Sequence, residues 1–145
     1  MAKRFLVPLD TSPEAEHLIP LVADAARATG ATVRLLHVAP VPGNVVSTEG
    51  RTVAYANQEM TRLESEYTSY LRSLEAELGG VAVEVVVRFG EPAEEILQEA
   101  EAFGADVIAV TTTCRSSVKR ALLGSVAEQV VKQARPTVML VRPAM

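Results

Sequence analysis

At 145 residues the chain fits one domain, expected to span 1–145, that can bury a sizeable apolar core but leaves no room for separate cofactor and substrate domains. Its composition, 48% hydrophobic and 22% charged, excludes a disordered or fibrous chain, and 14 basic against 18 acidic residues, a formal charge of −4, argue against binding a nucleic-acid backbone. A lone cysteine, Cys114, excludes an intramolecular disulfide framework and a cysteine-based zinc site, so a reducing cytoplasm is expected; the apolar run after Phe5 is too short for a secretory core or a membrane span.

Short apolar runs alternate with amphipathic stretches in a β-α-β-α-β-α-β-α-β pattern. Phe5 to Leu9 reads as a buried strand. Ser12 is an N-cap with Pro13 at the first helical position, Glu14 and Glu16 add first-turn acids, and Leu18, Leu21, Val22 and Ala25 carry one helix to Gly30. A second strand runs from Val33 to Val38. Pro40, Pro42 and Gly43 open an aperiodic loop to about Gly50. Val53, Met60, Leu63, Tyr67, Leu71, Leu74 and Leu78 then predict a long amphipathic helix closed by Gly79 and Gly80.

Val81 to Arg88 alternates apolar and mixed positions, which predicts a strand at a sheet edge, blunted by Glu84 and Arg88. Gly90, Glu91 and Pro92 open a third helix through Ile96, Leu97 and Ala100. The fully apolar Val107 to Val110 predicts a central strand. A long polar segment, Thr111 to Leu123, leads to Gly124 and Ser125, where Ser125 and Glu128 have the spacing of a capping box for the last helix. Pro136 stops that helix. The closing strand, Thr137 to Val141, carries no charge and is expected at the other edge, where it invites pairing with a second chain.

Strands joined by helices are parallel, so the expected fold class is α/β, an open doubly wound five-stranded sheet with helices on both faces. Ligands of such sheets sit beyond the carboxyl ends of the strands where strand order reverses. That places Asp10, Val38 and the Thr111 to Ser125 segment at the functional end.

Several chemistries lack their residues. The turn Asp10-Thr11-Ser12-Pro13 offers neither the glycines and lysine of a P-loop nor the three glycines of a dinucleotide fingerprint. A phospho-accepting receiver needs a carboxylate after the third strand, where Arg88-Phe89-Gly90 stands. His17 and His37 have no carboxylate at metal-ligand spacing and read as packing or surface residues. Cys114 beside Arg115 could be an activated thiol but has no histidine partner nearby in sequence, which favours a small buried or half-buried residue. Gly124 and Ser125 carry two readings, a helix cap and an anion site at a helix amino terminus.

These residues together resemble the universal stress protein family: Val7-Pro8-Leu9-Asp10, Leu35-Leu36-His37-Val38, Gly90-Glu91-Pro92 through Ile96, Gly104-Ala105-Asp106, Leu122 through Glu128, and Pro136 through Arg142. The resemblance implies strand order 3-2-1-4-5, dimerisation through the last strand and, in one branch, an ATP or AMP site. In that branch Asp10 would meet the nucleoside, the backbone at Val38 the base, and a Gly-x2-Gly-x9-Gly-Ser/Thr loop the phosphates. Here Thr111 and Cys114 stand where the first two glycines belong, while Gly124 and Ser125 match the last pair. If those positions need positive φ, a β-branched Thr111 is a poor substitute.

The expected function is therefore a stress-response binding or signalling module with weak or absent ATP binding. The alternative is an ATP- or AMP-binding member with a remodelled phosphate loop, in which Arg115 serves as an anion contact. Slow hydrolysis or self-phosphorylation on a hydroxyl of the 111–125 segment is a third reading, for which the sequence supplies no general base.

Overall fold

The computed structural model describes residues 3–42, 51–114, 121–122 and 124–142. In chain order the elements are β1 (Arg4–Pro8), α1 (Pro13–Glu16), α2 (Ile19–Thr29), β2 (Thr32–Ala39), α3 (Arg51–Ser73), a 3-10 helix (Leu74–Leu78), β3 (Ala82–Phe89), α4 (Pro92–Phe103), β4 (Val107–Thr111), β5 (Thr113–Cys114), β6 (Ala121–Leu122), α5 (Ser125–Gln133) and β7 (Thr137–Val141). The main sheet has five strands in the order β3-β2-β1-β4-β7, all pairs parallel, as the expected 3-2-1-4-5 order requires. β3 and β7 form its two edges.

Strand alternation divides the core between two faces. Phe5 and Val7 of β1 pack with Val33, Leu35, Leu18, Ile19, Val22, Leu71, Leu74 and Leu78 on the side of α2, α3 and the 3-10 helix. Leu6 joins Leu36, Ile108, Ile96, Phe103 and Val130 on the side of α4 and α5. Leu6, Leu35, Leu36 and Ile108 are wholly buried.

The caps follow local chemistry. Ser12 accepts from the Ala15 N–H at 3.2 Å, and Glu91 from the Glu94 N–H at 2.8 Å, each just before a proline at the first helical position. Gly30 and Gly104 end α2 and α4 at φ 67 and 70, the left-handed conformation that suits glycine.

Three local expectations are corrected. The first helix is not continuous: it breaks at His17 and Leu18, because Pro20 has no N–H to return to the Glu16 carbonyl and its ring crowds that carbonyl. Ser125 does not cap α5. The N-cap is Gly124, with no side-chain capping bond, and Glu128 pairs instead with Lys132 at 2.9 Å. The polar segment after Thr111 also contains a short antiparallel pair, β5 with β6. The expected loop after Pro42 falls on residues 43–50, outside the described residues.

At the β3 edge the charges are knitted inward. Glu99 of α4 is buried and bridges Arg34 of β2 at 2.5 Å and Arg88 of β3 at 2.7 Å; Arg34 also binds Glu84 at 2.7 Å, and Arg88 binds Glu95 at 2.9 Å. The Arg34 guanidinium lies 4.1 Å from the Phe103 ring centroid, so this charge is held by a carboxylate and an aromatic face together.

Candidate functional site

The chain adds β2 and β3 on one side of β1, then crosses to add β4 and β7 on the other, so strand order reverses between β1 and β4. There the two strands part. β1 and β2 stay in register from Arg4 to Pro8, but β1 and β4 pair only at Phe5 with Val107 and Leu6 with Ile108. Successive residues of a strand turn their N–H groups to opposite neighbours. The Leu9 N–H donates to the Leu36 carbonyl of β2 at 2.8 Å, so the Pro8 nitrogen faces β4, where it has no hydrogen to donate.

Where the strands part lies a cleft of about 610 Å³. Its apolar walls come from Val38, Pro92, Ile96 and Val110. Asp10, Ser12 and Glu14 supply polar groups from the turn after β1, and Thr111, Thr112, Gly124 and Ser125 from the β4 and α5 side. Asp10, Val38, Gly124 and Ser125 are thus brought together, although 114 positions separate Asp10 from Gly124 in sequence. Arg115 lies outside the described residues.

The turn after β1 is tightly determined. Asp10 Oδ1 accepts from the Ser12 N–H at 3.0 Å and the Ser12 hydroxyl at 2.6 Å. Between them Thr11 has φ 69, the single non-glycine residue with positive φ among the described residues. A β-branched side chain in that region is strained. The preceding Leu9 is fixed at both ends: its carbonyl lies 2.7 Å from His37 Nδ1, which places the proton on Nδ1 to donate. The buried His37 ring rests against Tyr67 of α3 at 4.2 Å between centroids. Three residues on, the Tyr70 hydroxyl donates to Glu16 Oε2 at 2.6 Å and so pins α1 to α3. Burial, and then this hydrogen bond, push the Tyr70 phenol well above its usual value.

The expected backbone penalty at Thr111 does not arise. Thr111 is the last residue of β4, in register with Val141, and Cys114 lies in β5, so both are extended. Gly124 itself has φ −65 and ψ 161. Sequence reasoning missed Glu14, Pro92 and Ile96 as cleft residues. Each has a complete local explanation in its own helix, as first-turn acid, N1 proline and core residue, and no signal marks the direction it faces.

An open parallel α/β sheet with a crevice at its switch point defines the doubly wound class of α/β proteins. Within that class, the model of the Universal stress protein family matches residues 1–142, and the chain belongs to this family. It is 28% identical to Universal stress protein MJ0577 of Methanocaldococcus jannaschii over 98% of this chain and 96% of that protein. A shorter match, 43% identical over 67 residues, covers 46% of this chain and 39% of Universal stress protein MJ0531 of the same organism. The solved structure of MJ0577 superposes with a TM-score of 0.81 at 30% identity, covering 100% of this chain and 99% of that one. More distant structures share the fold: a universal stress protein in complex with cAMP, at 16% identity and TM-score 0.63 over 99% of this chain and 98% of that one, and one from Archaeoglobus fulgidus in complex with dAMP, at 20% and 0.58 over 97% of each.

Proposed function

We propose that this chain is a binding module that takes an adenosine monophosphate in the β1/β4 cleft and takes the triphosphate weakly or not at all. The observation that carries this reading is the convergence of Asp10, Val38, Gly124 and Ser125 on one cleft whose described lining includes two carboxylates, Asp10 and Glu14, and neither lysine nor arginine. Among the described lining the positive element is the amino terminus of α5, worth roughly half an elementary charge. That suits one phosphate; two more would bring further negative charge towards the carboxylates. The apolar walls suit a base, and a carboxylate beside them suits sugar hydroxyls. The relatives solved with cAMP and dAMP support the same ligand class.

Calorimetric titration tests the reading. AMP is expected to bind in the micromolar range, ATP at least about tenfold more weakly, and Asp10→Ala to lose at least about tenfold in AMP affinity. No heat at millimolar AMP rejects it. ATP binding as tight as AMP favours instead a remodelled phosphate loop that uses Arg115.

Two further features belong to the proposal. The module pairs with a second copy through β7, an uncharged edge on which Leu140 is 44% exposed, with Val131 of α5 41% exposed. A lone cysteine suits a reducing cytoplasm, and among the described residues no helix is long and apolar enough to cross a membrane.

A further inference from the structure

Glu99 and His37 are the buried polar residues among those described. Glu99 joins α4 to the sheet through Arg34 and Arg88. His37 stands elsewhere, near the carboxyl end of β2, between two residues that matter to the cleft. Leu36 before it accepts the Leu9 N–H at 2.8 Å, and Val38 after it lines the cleft. Because side chains alternate along a strand, Val38 packs on the side of α4 and α5 while His37 turns to α3 and meets Tyr67.

His37 donates from Nδ1 to the Leu9 carbonyl at 2.7 Å, and that carbonyl lies in the same peptide plane as the Asp10 nitrogen. With the Leu9 N–H bound to Leu36, β2 holds the peptide groups on both sides of Leu9. The direction in which the chain enters Asp10 is therefore set from β2. The turn that follows needs such a hold, since Thr11 at φ 69 is strained and relaxes if its entry is released. Ser12 ties the Asp10 carboxylate to this turn through Oδ1, so whatever rotates the Leu9–Asp10 peptide carries the carboxylate with it.

We infer that His37 is a positioning residue of the nucleotide cleft: by holding the Leu9 carbonyl it orients the Asp10 carboxylate towards the sugar hydroxyls of the ligand. This rests on the nucleotide reading above and deepens it, because it makes a buried side chain outside the described lining a determinant of affinity. Two substitutions separate the donor from the ring. His37→Asn keeps an N–H donor on the atom next to Cγ, where Nδ1 stands, and loses the ring against Tyr67. His37→Phe keeps a ring there and loses the donor.

Calorimetric titrations with AMP decide the matter, on the wild type, Asp10→Ala, each His37 variant, and each His37 variant combined with Asp10→Ala. AMP affinity is expected to fall about fivefold in His37→Phe and to stay within about twofold in His37→Asn. His37→Asn is nonetheless expected to melt below the wild type, because it leaves a void beside Tyr67. On the Asp10→Ala background His37→Phe is expected to change affinity by less than about twofold, since its effect passes through a carboxylate that is gone. A loss that persists in full without the carboxylate overturns the assignment and makes His37 a residue of cleft shape. Equal losses in His37→Asn and His37→Phe also overturn it, as does undiminished affinity in His37→Phe. Should His37→Phe not fold, His37→Leu removes the donor with less bulk and is judged by the same outcomes. A wild type that binds AMP no better than Asp10→Ala does, or binds none at millimolar concentration, is a separate outcome: it overturns the nucleotide reading and the His37 assignment with it.

Discussion

Pro8 sets how far β1 and β4 remain together, and so where the cleft begins. A strand residue with an N–H at this position could continue the β1–β4 ladder beyond Leu6 and Ile108 and draw the walls together. Pro8→Val is accordingly expected to weaken AMP binding severalfold while leaving the melting temperature equal or higher, measured by calorimetry and thermal denaturation. Thr11 makes the complementary case. Its φ of 69 persists because Asp10 and Ser12 close the turn around it, which holds the carboxylate at the cleft. Thr11→Gly removes the side-chain strain and is expected to stabilise the fold by about 1 kcal/mol in denaturant titration. A loss of stability would mean that the threonine side chain makes a contact worth more than its strain.

Among the elements, α3 acts as a brace for the cleft. Tyr67 backs His37, His37 holds the Leu9 carbonyl, and Tyr70 holds Glu16 of α1. The raised Tyr70 value gives a pH dependence with a definite sign. The unfolded chain ionises Tyr70 near pH 10 while the folded chain keeps it neutral, so its contribution is full below pH 10 and declines as pH rises above it. Tyr70→Phe is expected to flatten this alkaline limb when denaturant midpoints are compared between pH 8 and 11; an unchanged slope would rule out the linkage. The opposite face is braced by Glu99, which joins α4 to β2 and β3 through Arg34 and Arg88. Removing it leaves two partly buried guanidinium groups short of their shared partner. Glu99→Ala is expected to cost about 3 kcal/mol in urea denaturation, and a loss below about 1 kcal/mol would reduce the network to a solvated surface pair.

For the molecule as a whole, the two sheet edges differ in kind. β3 carries Glu84 and Arg88, both engaged in ion pairs, whereas β7 carries no charge and leaves Leu140 exposed. If β7 is the pairing edge, Leu140→Lys places a like charge on both copies. Sedimentation is expected to give the mass of two chains for the wild type and one for the variant, with unchanged far-ultraviolet circular dichroism. A wild type that sediments as one chain at micromolar concentration ends the dimer proposal.

Local patterning determined the five strands of the main sheet, their order through the family resemblance, both edges, and the caps at Ser12 and Gly30. Those features follow from alternation, proline and glycine stereochemistry, and residues adjacent in sequence. Even the break before Pro20 was written locally, since a missing N–H acts on a carbonyl four positions away. The tertiary structure alone decided which groups meet: that Pro8 opens a gap towards β4, that Thr111 is extended, that Gly124 caps α5, and that His37 holds the Leu9 carbonyl ahead of Asp10. The reason is that a hydrogen bond or ion pair between distant segments depends on orientation in space, to which the spacing of residues along the chain is blind.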